Sequence, residues 1–134
     1  MPPDALVVRF SPTLPDRVLD RARTAYEECG RWELSVFVGT ATATEDSYAL
    51  LDRLLTAAFN RGIGIANNPN YWRCAQAAEL LDLGFTFTKG GDPGEPAEHW
   101  NVDLGDSPSI EDVGRFLDCF TKHRRPVVNE RMDL

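Results

Sequence analysis

Apolar and polar positions change period several times along the chain, and each change marks a new element. Residues 5–10 (ALVVRF) form a short apolar run between Pro3 and Pro12, which predicts a first strand. Val18, Ala22, Ala25, Tyr26 and Cys29 then recur at helical spacing. Thr13 offers a cap for this helix, Pro15 suits its first turn, Asp16 complements its N-terminal dipole, and Gly30 is placed to end it. Residues 32–38 alternate: Trp32, Leu34, Val36 and Val38 share one side, and Glu33, Ser35 and Phe37 the other. An aromatic on the second side predicts a helix above Phe37. Thr44, Glu45 and Asp46 open a second helix with Tyr48, Leu51, Leu55, Ala58 and Phe59 as its buried face and Gly62 as its stop. Ile63 and Ile65 alternate with glycines and predict a brief strand. The Asn/Pro stretch at 67–70 predicts a cap for a third helix over 71–83, ended by Gly84.

The second half continues with two alternating runs, 85–89 and 98–104, around a Gly/Pro turn. Phe85 and Phe87 share one side of the first run. Trp100, Val102 and Leu104 share one side of the second, opposite His99, Asn101 and Asp103. The two runs predict a hairpin with a long tip. Ser109 and Asp112 have capping-box spacing, and Ile110, Val113, Phe116, Leu117 and Phe120 give the last helix an apolar face. Lys122, His123, Arg124 and Arg125 suit its C-terminal end and Pro126 closes it, leaving 127–134 as a tail or late edge strand. The order β-α-β-α-β-α-β-β-α predicts an α+β fold: one mixed sheet of about five strands with about four helices, in a single domain spanning 1–134.

Composition narrows the function. At 134 residues the chain is long enough for one cored domain. Its net charge of −7 disfavours nucleic acid and favours basic partners. The three cysteines (Cys29, Cys74 and Cys119) have neither CxxC spacing nor a nearby histidine pair. They read as small buried thiols rather than as disulfides or zinc ligands. The N-terminal segment lacks the basic and apolar regions of a signal peptide, and no apolar run reaches 18 residues, so a cytoplasmic protein is expected.

Candidate chemistry centres on residues 84–120. Between Thr86 and Asp112 lie Asp92, Glu95, Glu98, Asp103, Asp106, Glu111 and Asp112 against the single Lys89. There is no G-x-S-x-G motif, and the glycines at 62 and 64 lack the lysine and spacing of a phosphate loop. His99 and Asp103 point the same way on a strand, but with Asp106 they still lack a defined third metal ligand. His99 with Lys89, aided by Arg9 or Arg73, has the makings of a metal-free acid/base site. Trp32 and Trp100 read as core, whereas Tyr71 and Trp72, following a polar loop, are candidates for partner contact.

Two resemblances bear on these residues. Across 78–120 the segments AELLDLGFTFTKGG, HWNVDLG and IEDVGRFLDCF resemble the helix–strand–turn–strand–helix of small HicA-type toxins. That family joins a double-stranded-RNA-binding-like fold to one histidine just after a glycine; here DPGEPAE separates Gly90 and Gly91 from His99. Across 107–131, Ile110, Val113, Phe116, Leu117, Arg125 and Pro126 are similar to the C-terminal helix of immunity proteins from bacterial polymorphic-toxin systems. That resemblance implies an acidic protein that plugs the basic active site of a toxin. The leading expectation is therefore an immunity- or antitoxin-like domain that neutralises a basic partner through the 92–112 surface. Its contacts would be Asp92, Glu95, Glu98, Asp103, Asp106 and Asp112, with Tyr71 and Trp72. The alternatives are a metal-independent ribonuclease-type toxin using His99 and Lys89, and a non-catalytic scaffold or homo-oligomer. No cofactor, metal or membrane is expected.

Overall fold

The structure is a computed structural model that describes residues 1–10, 12–60, 71–90, 94 and 96–124. Its elements run β1 (Leu6–Arg9), α1 (Pro15–Cys29), β2 (Glu33–Gly39), α2 (Ser47–Asn60), β3 (Tyr71–Gln76), α3 (Ala77–Asp82), β4 (Thr86–Lys89), β5 (His99–Asp103), α4 (Ile110–Asp118) and β6 (Thr121–Arg124). The strands form one sheet in the order β4-β5-β2-β1-β3-β6. This is the α+β fold that the pattern predicts, with every strand pairing antiparallel and a sixth strand at one edge.

Period-2 alternation assigns each strand residue to one of two faces, and each face carries a core. On one face Val7, Leu34, Val36, Val38, Ala75 and Val102 meet Val18 and Ala22 of α1, Leu80 of α3, and Val113 and Phe116 of α4. On the other, Val8, Phe37 and Trp72 meet Leu50, Leu51, Leu54, Leu55, Ala57 and Ala58 of α2. The sheet is thus sandwiched, and a fully buried side chain of this kind contributes ~1.5–3 kcal/mol. The predicted helix above Phe37 is α2.

Helix ends follow local rules with two exceptions. Gly30 ends α1 at φ +82°, with its N–H donating to the Tyr26 carbonyl. Asp46 caps α2 by accepting from the Ala49 N–H at 2.8 Å. Ser109 and Asp112 form the complete capping box of α4. The exceptions are the N-termini of α1, whose N-cap is Leu14 rather than Thr13, and of α3, whose N-cap is Gln76, neither with a side-chain bond.

Three expectations are corrected. Residues 71–76 are not helical: Tyr71–Gln76 is strand β3, between β1 and β6, and the helix begins only at Ala77. The polar-aromatic run YWRCAQ has no strong period, and pairing on both sides overrides the helix propensity of its Ala75 and Gln76. Residues 121–124 do not extend the last helix. Turn bonds from the Cys119 and Phe120 N–H groups end it, and Thr121–Arg124 pairs with β3. Cys29 is exposed rather than buried, while Cys74 and Cys119 are half-buried. Tyr26 is also exposed; its ring stacks on Trp32 at a centroid distance of 5.1 Å. The brief strand predicted around Ile63 and Ile65, and the 127–134 tail, lie outside the described residues.

Candidate functional site

The strands β2, β5 and β4 present a polar face on the side of the sheet where α2 packs. Register fixes its rows. Glu33, Asp103 and Thr86 are aligned, and so are Ser35, Asn101 and Thr88. Phe37 and His99 form the third row, and the Gly90 N–H donates to the His99 carbonyl beside them. The first two rows are open: Ser35, Thr86 and Thr88 are exposed, and Glu33, Asn101 and Asp103 are half-buried. The third row slides beneath α2, where Phe37 is 1% exposed and His99 4%.

His99 is therefore enclosed. β5 lies inside the sheet, between β4 and β2. The imidazole Nε2 is 3.1 Å from the Ser35 hydroxyl, and its ring is 5.6 Å from that of Phe37. Gly90 covers the other side, so closely that a Cβ there would overlap Nδ1. Lys89 is directly opposite Trp100, and its ammonium lies over that ring at 6.0 Å, on the far face of the sheet. The alternation of β5 thus separates Lys89 from His99. Arg9 and Arg73 are paired across β1 and β3 and share the face of Phe116, again away from His99. The acid/base set suggested by the sequence is not brought together.

The predicted acidic contacts divide into two groups. Glu98 is near the hairpin tip, where its carboxylate is 3.6 Å from Arg53. Asp103 is five residues further along the chain, roughly 16 Å away at strand spacing. There its carboxylate accepts from the Gly105 N–H at 2.8 Å. Asp106 is exposed in the loop that follows. Asp112 accepts from the Ser109 N–H and pairs with Arg115. Those bonds, chiefly from Ser109, hold its carboxyl below the ordinary range. Asp92 and Glu95 lie outside the described residues. Trp72, expected as a partner contact, is instead fully buried beneath α2; Tyr71 is placed in β3 by its backbone, and its side chain lies outside the described set. Sequence reasoning also missed Glu33, which belongs to the acidic row through its register with Asp103 and is 3.2 Å from Arg31. The alternation of 32–38 placed it on the right side, but only the β2–β5 pairing shows its neighbour.

Beside the tip, Arg53 is clamped by Glu45 through Nε at 3.0 Å and Nη2 at 2.9 Å, and Nη2 also donates to the Thr40 carbonyl. Hydrogen bonding from Arg53 lowers the Glu45 carboxyl to about 2. A shallow depression of about 330 Å³ lies here, lined by Asp52, Arg53, Thr56, Ala57, Pro96 and Glu98. Among the described residues no group of three or more His, Cys, Asp or Glu side chains is arranged to hold a metal ion, and no helix is long and apolar enough to cross a membrane. No protein-family model, curated protein or solved structure matches the chain.

Proposed function

We propose that the protein is a binding domain that takes a basic protein partner on the polar face of β2, β5 and β4. Its role would be that of an immunity- or antitoxin-like protein that neutralises a toxin in the bacterial cytoplasm. One observation carries this reading. The open rows on that face hold Ser35, Thr86, Thr88 and Asn101, and the charged side chains among them, Glu33 and Asp103, are both acidic. Asp106 extends the same sign into the adjoining loop, and the net charge of −7 reinforces it at long range. An open face with hydroxyls, an amide and carboxylates offers acceptors to Lys and Arg side chains, and electrostatic steering speeds their approach.

The test is affinity capture from the protein's own cells at low salt, with wild type and the Thr88→Arg/Asp106→Lys double variant in parallel. Both positions are exposed, so the variant changes the charge of the surface rather than the core. The reading predicts a basic captured protein that salt releases and the variant fails to hold. Capture that survives both salt and charge reversal, or capture of a second copy of the chain alone, contradicts it.

A further inference from the structure

On the opposite face of the sheet Arg9 is buried, with 4% of its surface exposed. Its guanidinium lies 5.7 Å from the Phe116 ring centroid and 5.8 Å from that of Phe120. One nitrogen, Nη2, donates to the Pro12 carbonyl at 2.6 Å. Nε and Nη1 are enclosed and have no hydrogen-bond partner among the described residues. A buried guanidinium ordinarily has a carboxylate or a set of carbonyls to satisfy its five donors, because an enclosed unpaired charge is strongly destabilising.

The surrounding charge makes the arrangement more unusual. Arg73 is the register partner of Arg9 across the β1–β3 ladder, and Arg21 of α1 is close enough to act on it electrostatically. On the other side of Arg73 the backbone position belongs to Lys122. No ion pair joins Arg9, Arg73 or Arg21 to a described acid. In a chain with 21 acidic and 14 basic residues, three arginines that share no ion pair with a described carboxylate form a locally inverted field. Burial and the two neighbouring arginines lower the Arg9 pKa to about 10, which still leaves it charged at neutral pH.

We propose that Arg9, Arg73 and Arg21 form a binding site for a phosphate group. The phosphate oxygens would accept from the unused Nε and Nη1 of Arg9, and Arg73 and Arg21 would supply the balancing charge. A dianion matches this cluster better than a carboxylate does, because Arg73 and the exposed Arg21 add positive charge near Arg9. Phe116 and Phe120 flank the Arg9 guanidinium and help to hold it in place. This inference is independent of the acidic surface on the other face.

The experiment is a calorimetric titration of the full chain with inorganic phosphate and with glycerol 3-phosphate, at constant ionic strength, with chloride and acetate as controls. Wild type is expected to bind phosphate at one saturable site and to ignore chloride. Equal affinity for the two phosphates identifies the free ion as sufficient, and tighter binding of the ester identifies a phosphorylated small molecule. Arg9→Met and Arg73→Gln should each weaken binding by at least about tenfold, the loss of one charge-assisted contact. Circular dichroism confirms that each variant is folded, and Arg73→Gln, at a half-buried position, decides the matter if Arg9→Met does not fold. No phosphate binding above the chloride control, or wild-type affinity in Arg73→Gln, overturns the proposal.

Discussion

Position 90 shows how one residue can be fixed by a neighbour far along the chain. A methyl group on Gly90 would overlap the His99 imidazole, which is itself pinned between Ser35 and Phe37. Gly90→Ala should therefore cost about 1–3 kcal/mol in chemical unfolding, the usual range for overpacking a closed site. Nothing in the turn sequence reveals this, because the clash depends on the β4–β5 register. By contrast, the capping box at Ser109 and Asp112 was legible, since it needs only a three-residue spacing. Ser109→Ala should destabilise the fold by about 1 kcal/mol. Glu45 makes a pH prediction. Its folded pKa lies near 2, below the ordinary 4.5, because Arg53 bonds to the charged form. The stability from this pair is fully present above about pH 4.5 and is lost as pH falls toward 2. Glu45→Gln should flatten that part of the acid-unfolding curve, and an unchanged curve would show that the clamp has no energetic role.

At the scale of elements, β3 best separates what the sequence could show from what it could not. Strands β1, β2, β4 and β5 were legible because apolar residues alternate or cluster in them. β3 was not: its YWRCAQ run reads as the opening of the helix that follows, and only pairing with β1 and β6 makes it a strand. The same dependence on distant partners hid β6, whose cations suit a helix end equally well. Because β3 is an inner strand with Trp72 beneath α2, Trp72→Ala should cost about 3–5 kcal/mol. The amides of Arg73 and Ala75 should also exchange on the slow timescale of the sheet. Fast exchange at both, with a mild effect of the substitution, would fit an exposed helix instead.

At the scale of the whole molecule, the charges on the described strands β1, β2, β3 and β5 are sorted between the two faces of the sheet. Glu33 and Asp103 lie on the open face of β2 and β5, whereas Arg9 and Arg73 lie on the other, under α4. The sequence showed the acidic excess and the side of each β5 residue, so the choice of surface was partly legible. It did not show that Glu98, Asp103 and Asp112 make internal bonds, or that Asp103 has Glu33 beside it, because those contacts join separate elements. The most direct test of the acidic binding face is the association rate with the captured basic partner, measured by stopped flow as salt is raised from about 50 to 500 mM. Wild type should associate at least about tenfold more slowly at the high end, and Thr88→Arg/Asp106→Lys should start slow and respond weakly to salt. Equal rates for the two proteins at every salt concentration would contradict the account.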